Sequence, residues 1–306
     1  MPDEPKLHVV ADESGPLEQP RLTFADVAGM DEAKQRLTRS FILPLRNPEL
    51  TKAFGKTAGG GLLLYGPPGC GKTFLARALA GEIGARFDNV ALNDVLDLWF
   101  GESERKLHEL FENARRRAPT VLFFDEIDAL GQRRSQLKGT AGRTLVNQLL
   151  SEMDGFDARN EGVFFLAATN HPWDVDPALR RPGRFDRLVF VPPPDAAARK
   201  LVFKLKLEGK PVAKTLDEDA LARHTEGFSG ADIEGAIKSA AEFAFEASVA
   251  LGRVMPIDDK LLAKALKEAK PSTRPWFEVA RNHAIYSNEG GSYDDLLAHL
   301  RKIGLA

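Results

Sequence analysis

The sequence predicts an α/β fold, a five-stranded parallel sheet flanked by helices, followed by a smaller domain that is all helical. Three observations predict it. Short runs that are apolar at consecutive positions, VLFF at 121–124 and VFFLAA at 163–168, alternate with helical patterns, as strands covered on both faces do. A glycine-rich segment, GPPGCGKT at 66–73, joins one such run to a helix. Beyond Pro192, Pro193 and Pro194 no strand-like run recurs, and apolar residues repeat only at helical spacing. At 306 residues the chain exceeds one compact core, so the expected division is an α/β domain at 23–193 and a helical domain at 194–306. Residues 1–22 carry Pro2, Pro5, Pro16 and Pro20 among charges, which marks a flexible arm.

Each element follows from its own residues. The strands are expected at 61–65, 86–92, 120–127, 163–170 and 187–191. After the glycine-rich segment, Leu75, Leu79, Ala80 and Ile83 recur at helical spacing until Gly84 ends the run. In the second half, helical periodicity covers 196–207, 216–223, 231–251 and 261–267. Ser229, three residues before Asp232, caps the third of these, and Ser292 stands likewise before Asp295. Tyr293, Leu296, Leu297 and Leu300 give the tail an amphipathic stripe suited to docking on the helical domain or on a neighbour.

Forty-two basic and 44 acidic residues leave a net charge of −2, so nothing draws the whole chain to nucleic acid or an anionic membrane. Cys70 is the single cysteine, which forbids an internal disulfide and fits a reducing compartment. The acidic, proline-bearing start is unlike a signal peptide, and no apolar run nears the ~20 residues needed to cross a bilayer. A soluble, cytoplasmic protein without a membrane segment is the expectation. The six His show no metal-ligand spacing.

GPPGCGKT, from Gly66 through Pro67, Pro68, Gly69, Cys70, Gly71 and Lys72 to Thr73, fits the pattern GxxxxGK[ST]. Glycines let successive backbone N–H groups turn around phosphate oxygens, the lysine reaches the outer phosphates, and the hydroxyl meets Mg²⁺. The strand, loop and helix order is that of a P-loop NTPase. VLFFDEID then puts Asp125 and Glu126 at the end of a buried strand, where open α/β sheets present their ligands. Asp125 is assigned to the metal and Glu126 to the attacking water, because phosphoanhydride hydrolysis needs positioning and charge stabilisation. A solvated strand end is the plainer reading of the two acids. Cys70, beside helix-terminal N–H groups, is either a small filler or a thiol that reacts when the site is empty.

FADVAGMDEAKQRL, LWFGESERKLHELFENARRRAPTVLFFDEIDAL, LAATNHPWDVDPALRRPGRFDR and GFSGADIEGAIKSAA, in this order around the phosphate loop, resemble the AAA ATPases, and most of all the second ring of valosin-containing-protein-type unfoldases and the meiotic-clade disassembly enzymes. The resemblance runs from Phe24 to about Ala284 and implies ATP and Mg²⁺ as ligands, with the helical domain as a lid. It implies that Asn170 senses the γ-phosphate and that Arg181 and Arg184 are arginine fingers acting on a neighbouring subunit's ATP. A homo-oligomer, a hexameric ring, follows from that. Asp26, Val27 and Ala28 match the adenine-contacting turn, with Phe74 after the loop and Gly230 and Ala231 from the lid. The family's ribose-side His has no counterpart, and Lys206 stands in its place. Trp99, Phe100 and Gly101 match the pore triplet that grips an extended polypeptide, and GQRRSQLKGTAGR, with Arg133, Arg134, Lys138 and Arg143, resembles the second pore loop.

The function expected is therefore remodelling, unfolding or disassembly of protein substrates by threading through a central pore. Two alternatives stay open: a nucleic-acid remodeller, since aromatics also stack on bases, and an ATP-gated scaffold with little turnover. The near-neutral charge argues against the first, and Glu126, Arg181 and Arg184 against the second. No HExxH or other protease signature follows. The arm is too short for a substrate-selecting domain, which leaves selection to the arm, to an adaptor protein, or to a longer protein of which this chain is a piece.

Overall fold

The computed structural model describes residues 22–55, 60–90, 102–130, 140–154 and 160–306. They form two units. One comprises the described residues through Asp26, Asp31–Tyr65 and Lys72–Phe190; the other comprises Val27–Met30, Gly66–Gly71 and Val191–Ala306.

The first unit is built on a five-stranded, all-parallel sheet. Its strands are β1 (Gly61–Tyr65), β2 (Arg86–Val90), β3 (Thr120–Phe124), β4 (Val163–Thr169) and β5 (Arg187–Phe190), in the order β2-β3-β4-β1-β5. Every residue of β1, β3 and β4 is buried, because parallel strands covered on both faces have no polar side to offer. The helices are α1 (Asp31–Leu37), α2 (Leu43–Arg46), α3 (Pro48–Ala53), α4 (Lys72–Ile83), α5 (Glu102–Arg116) and α6 (Thr140–Asp154). A π-helical turn, Thr38–Ile42, joins α1 to α2. Leu107, Phe111 and Ala114 of α5 sit one helical turn apart and meet Phe124 and Phe165 of the sheet, with the Phe111 and Phe165 rings stacked at 5.5 Å. Each such ring contributes about 2 to 3 kcal/mol by leaving water.

Strand order matters more for function than strand number. Placing β4 between β1 and β3 puts residues far apart in the chain side by side at the carboxyl ends of three neighbouring strands. The strands are slightly shorter than their apolar runs suggest. β3 stops at Phe124 instead of 127, because Asp125–Asp128 form a turn in which Glu126 takes φ +52°. β2 ends at Val90, and the rest of the run expected to 92 lies outside the described residues.

The second unit is helical: α7 (Ala196–Leu207), α8 (Glu218–His224), α9 (Gly230–Leu251), α10 (Asp259–Glu268), α11 (Thr273–Tyr286) and α12 (Asp294–Lys302). Ile233, Ala236, Ile237, Ala240 and Ala244 form one stripe of α9 and close a core with Phe203, Leu221, Phe228 and Leu262. Asp195, Asp217 and Asp258 cap α7, α8 and α10 with side-chain bonds worth about 1 kcal/mol each. Ser229 opens α9 in a full capping box with Asp232. An isolated bridge, Val212 to Ile257, joins two of the loops between these helices. The tail docks on its own chain: Tyr293, Leu296 and Leu300 are buried and Phe277 stacks on His299 at 5.2 Å. α12 takes Tyr293 as its N-cap, one residue past the expected Ser292. Among the described residues no helix is long and apolar enough to cross a membrane.

Candidate nucleotide site

β1 runs into Gly66 and α4 leaves at Lys72, so the glycine loop is set by the sequence between a buried strand and a buried helix. Gly69 and Gly71 take φ +70° and +84°, a region in which a Cβ is strained, and which turns successive N–H groups the same way. A Cβ on Gly66 would sit 2.2 Å from the carbonyl oxygen of Val191, and one on Gly69 2.6 Å from the Cβ of Ala231. Glycine is thus required twice over, for conformation and for space. Pro67 is buried, whereas Pro68 and Gly69 are exposed.

In the first unit the side chains after the strands meet in two pairs. Lys72 Nζ donates to Asn170 Oδ1 at 2.6 Å, bringing α4 to the end of β4. The Thr73 hydroxyl donates to Asp125 Oδ2 at 3.1 Å, bringing α4 to the end of β3. Asp125 Oδ1 accepts from the Glu126 N–H at 3.0 Å, and the Ile127 N–H bonds Ala168 O, which pins the acidic turn to β4. Glu126 is exposed, and its left-handed backbone is unusual for a residue with a long side chain. A hydroxyl and a carboxylate converging in this way fit Mg²⁺, which keeps most of its waters and takes few protein ligands. Among the described residues no cluster of three or more His, Cys, Asp or Glu suited to a metal occurs.

Two residues not singled out in the sequence hold this arrangement. The Thr169 hydroxyl donates to buried Asp128 Oδ1 at 2.6 Å and accepts from the His171 N–H at 2.8 Å, so the backbone on both sides of Asn170 is fixed. The available signal was the fourth residue of DEID, an acid set among apolar neighbours. Cys70 is a packing residue in this structure: it is 2 % exposed and its thiol lies 3.7 Å from Pro68 O, so burial works against the reactive-thiol reading.

The sequence treats Arg181 and Arg184 alike; their surroundings do not. Arg181 is exposed. Arg184 is engaged inside its own chain, with Nε 2.7 Å and Nη2 2.5 Å from the two Asp154 oxygens and Nη1 donating to Ala178 O at 2.7 Å. Only 13 % of its side chain is exposed. The pairing raises the pKa of Arg184 and lowers that of Asp154, in each case chiefly through the shared hydrogen bonds. Lys206 also has a partner: its Nζ lies 2.6 Å from Glu234 Oε2, and together with Lys238 it draws the Glu234 pKa down to about 2. Asp26 accepts from the Thr23 N–H and hydroxyl and so closes its own turn, Val27 is buried, and Phe74 and Ala231 are exposed. Trp99, Phe100 and Gly101, and with them Arg133, Arg134 and Lys138, lie outside the described residues; Arg143 belongs to α6.

Comparison with known families agrees with this geometry. Residues 62–193 match the ATPase family associated with various cellular activities, AAA, and residues 215–252 match the AAA+ lid domain. Together they cover more than half of the chain. The chain belongs to the AAA family. As an AAA protein it pairs an ATPase domain of P-loop α/β type with a helical lid region, the combination that goes with nucleotide binding and ATP-driven activity, commonly in rings.

Proposed function

We propose that this AAA protein hydrolyses Mg-ATP to ADP and phosphate and, as a hexameric ring, spends the energy on unfolding or disassembling protein substrates drawn through its pore. The observation that carries the hydrolytic part is the pair of contacts from α4, Lys72 to Asn170 and Thr73 to Asp125, at the ends of adjacent strands. Lys72 and the loop N–H groups bind the outer phosphates, and Asn170 and Glu126 orient water for attack on the γ-phosphorus. Thr73 and Asp125 would hold Mg²⁺, which offsets phosphate charge when bound. Asp26, Val27, Ala28, Phe74, Gly230 and Ala231 take the role of nucleotide contacts on the strength of the family likeness.

Exposed Arg181 is the better candidate for a group that reaches a neighbouring subunit. Arg184, already paired with Asp154, serves as the brace of the same turn. Trp99, Phe100 and Gly101 carry the proposed polypeptide grip, because aromatic contact is indifferent to substrate sequence. The test is ATPase stimulation by an unfolded polypeptide and by single-stranded DNA, before and after Trp99→Ala. Stimulation by polypeptide that Trp99→Ala abolishes supports the reading. Stimulation by DNA alone, indifferent to Trp99, replaces it with a nucleic-acid motor.

A further inference from the structure

The lid-family match ends at residue 252, yet the chain continues through α10, α11 and α12, and Ser272 and Thr273, at the start of α11, reach the turn that opens α9. Ser272 donates to Asp232 Oδ2 from both its N–H and its hydroxyl, each at 3.0 Å. The Thr273 hydroxyl donates to Gly227 O. The segment from Gly227 to Asp232 is therefore clasped at both ends by one dipeptide. Its interior is no looser: Ser229 is fully buried, its N–H bonds Asp232 Oδ2 at 2.8 Å, and its Oγ accepts from the Asp232 N–H at 3.1 Å.

The other side of that turn lies on the glycine loop. A Cβ on Gly69 would meet Ala231 Cβ at 2.6 Å and Ser229 Oγ at 2.9 Å, and a Cβ on Gly230 would meet Gly69 O at 3.2 Å. With no room for even a Cβ between them, the loop and the turn hinder one another's displacement, because packed groups transmit it. A rearrangement of the Gly69 peptide around phosphate oxygens must move Ser229 and Ala231, or be resisted by them. Whatever holds the turn also holds the loop.

We propose that Ser272 and Thr273 are positioning residues of the nucleotide site, which set the phosphate loop through the Gly227–Asp232 turn and make the α11–α12 hairpin respond to nucleotide. This rests on the reading of the loop as an ATP site. Neither residue touches nucleotide in this scheme. Linkage makes the effect reciprocal: a hairpin that favours the filled loop is itself steadied when the loop fills.

The experiment uses the full chain and a fluorescent ADP with Mg²⁺. Ser272→Ala removes one of the donors to a carboxylate and is expected to raise the Kd for ADP about fivefold, with kcat at saturating ATP changed less than KM; Ser272→Thr restores affinity. Hydrogen exchange of the wild type is measured in parallel. Mg-ADP is expected to slow exchange in the peptide spanning 271–280 as well as in the loop, and that protection is lost from 271–280 in Ser272→Ala. A purely structural role would lower the melting temperature and leave Kd and nucleotide-dependent exchange untouched. Wild-type affinity in folded Ser272→Ala overturns the proposal. Should Ser272→Ala fail to fold, the wild type decides: loop protection without any change at 271–280 overturns it, and protection of both supports it. A wild-type chain that binds no Mg-ADP overturns the ATP-site reading itself, and this proposal with it.

Discussion

Glu126 joins an exposed carboxylate to a left-handed backbone, rare for a residue with a long side chain, at the end of a fully buried strand. Strain of this kind costs about 1 to 3 kcal/mol and persists only where neighbours enforce it, here the Asp125 carboxylate and the bond from Ile127 to β4. Glu126→Gln keeps the shape and removes the base, so kcat is expected to fall by roughly 10² to 10⁴ while nucleotide binding persists. A coupled phosphate-release assay and a titration with fluorescent ADP separate the two effects. Asp128 acts on Asn170 at one remove, through Thr169. Asp128→Asn weakens that bond, and kcat is expected to drop about tenfold with KM little changed, since roughly 1.4 kcal/mol of transition-state positioning is lost. Glu234 supplies a pH test. Its pKa is drawn from 4.5 to about 2 by Lys206 and Lys238, so its stabilising effect is complete above the ordinary glutamate range and is lost as pH falls toward that lowered value. The difference in melting temperature between wild type and Glu234→Gln is expected to shrink as pH is lowered from about 6 to about 3. A difference that stays constant would place the effect in packing instead of charge.

At the scale of elements, the turn from Arg181 to Phe185 is held from three sides. Phe185 is in the core, Arg184 O accepts from the Gly61 N–H at 3.1 Å, and the Arg184 guanidinium binds Asp154 at the end of α6. Asp154→Ala frees the guanidinium and loosens the carrier of Arg181, so hydrolysis is expected to fall about tenfold although residue 154 contacts no nucleotide in this account. Steady-state ATPase with a melting curve checks it; unchanged ATPase would show that the turn needs no brace. The sequence made most strands and the phosphate loop legible, because short apolar runs alternating with helical patterns and the glycine spacing point to the same fold. It could not distinguish Arg181 from Arg184, or reveal Thr169, Asp128 and Ser272. Those roles come from partners 30, 41 and 40 residues away in the chain, and no local pattern encodes such pairings. Lys206, which looked like a departure from the family's ribose contact, is legible only once α7 lies beside α9 and brings it to Glu234. The end of β3 is hidden from the sequence for a related reason. Ile127 reads as one more strand residue, and only the backbone shows that the chain has already turned.

For the whole molecule, we propose that cleavage at the phosphate loop needs an arginine from another copy. A guanidinium delivered to the γ-phosphate in this way is worth about 10³ to 10⁵ in rate in other phosphoryl-transfer systems. A ring whose sites are shared then follows, because a head-to-tail contact that closes gives every site a donor. The most direct measurement mixes two nearly inactive variants, Arg181→Ala and Glu126→Gln, at fixed total concentration after co-assembly has been verified. Some interfaces in the mixture join an intact Glu126 to an intact Arg181. Hydrolysis well above the sum of the separate variants is the expected result. No recovery at any mixing ratio, or an Arg181→Ala chain that turns over ATP at the wild-type rate as a monomer, would contradict the account.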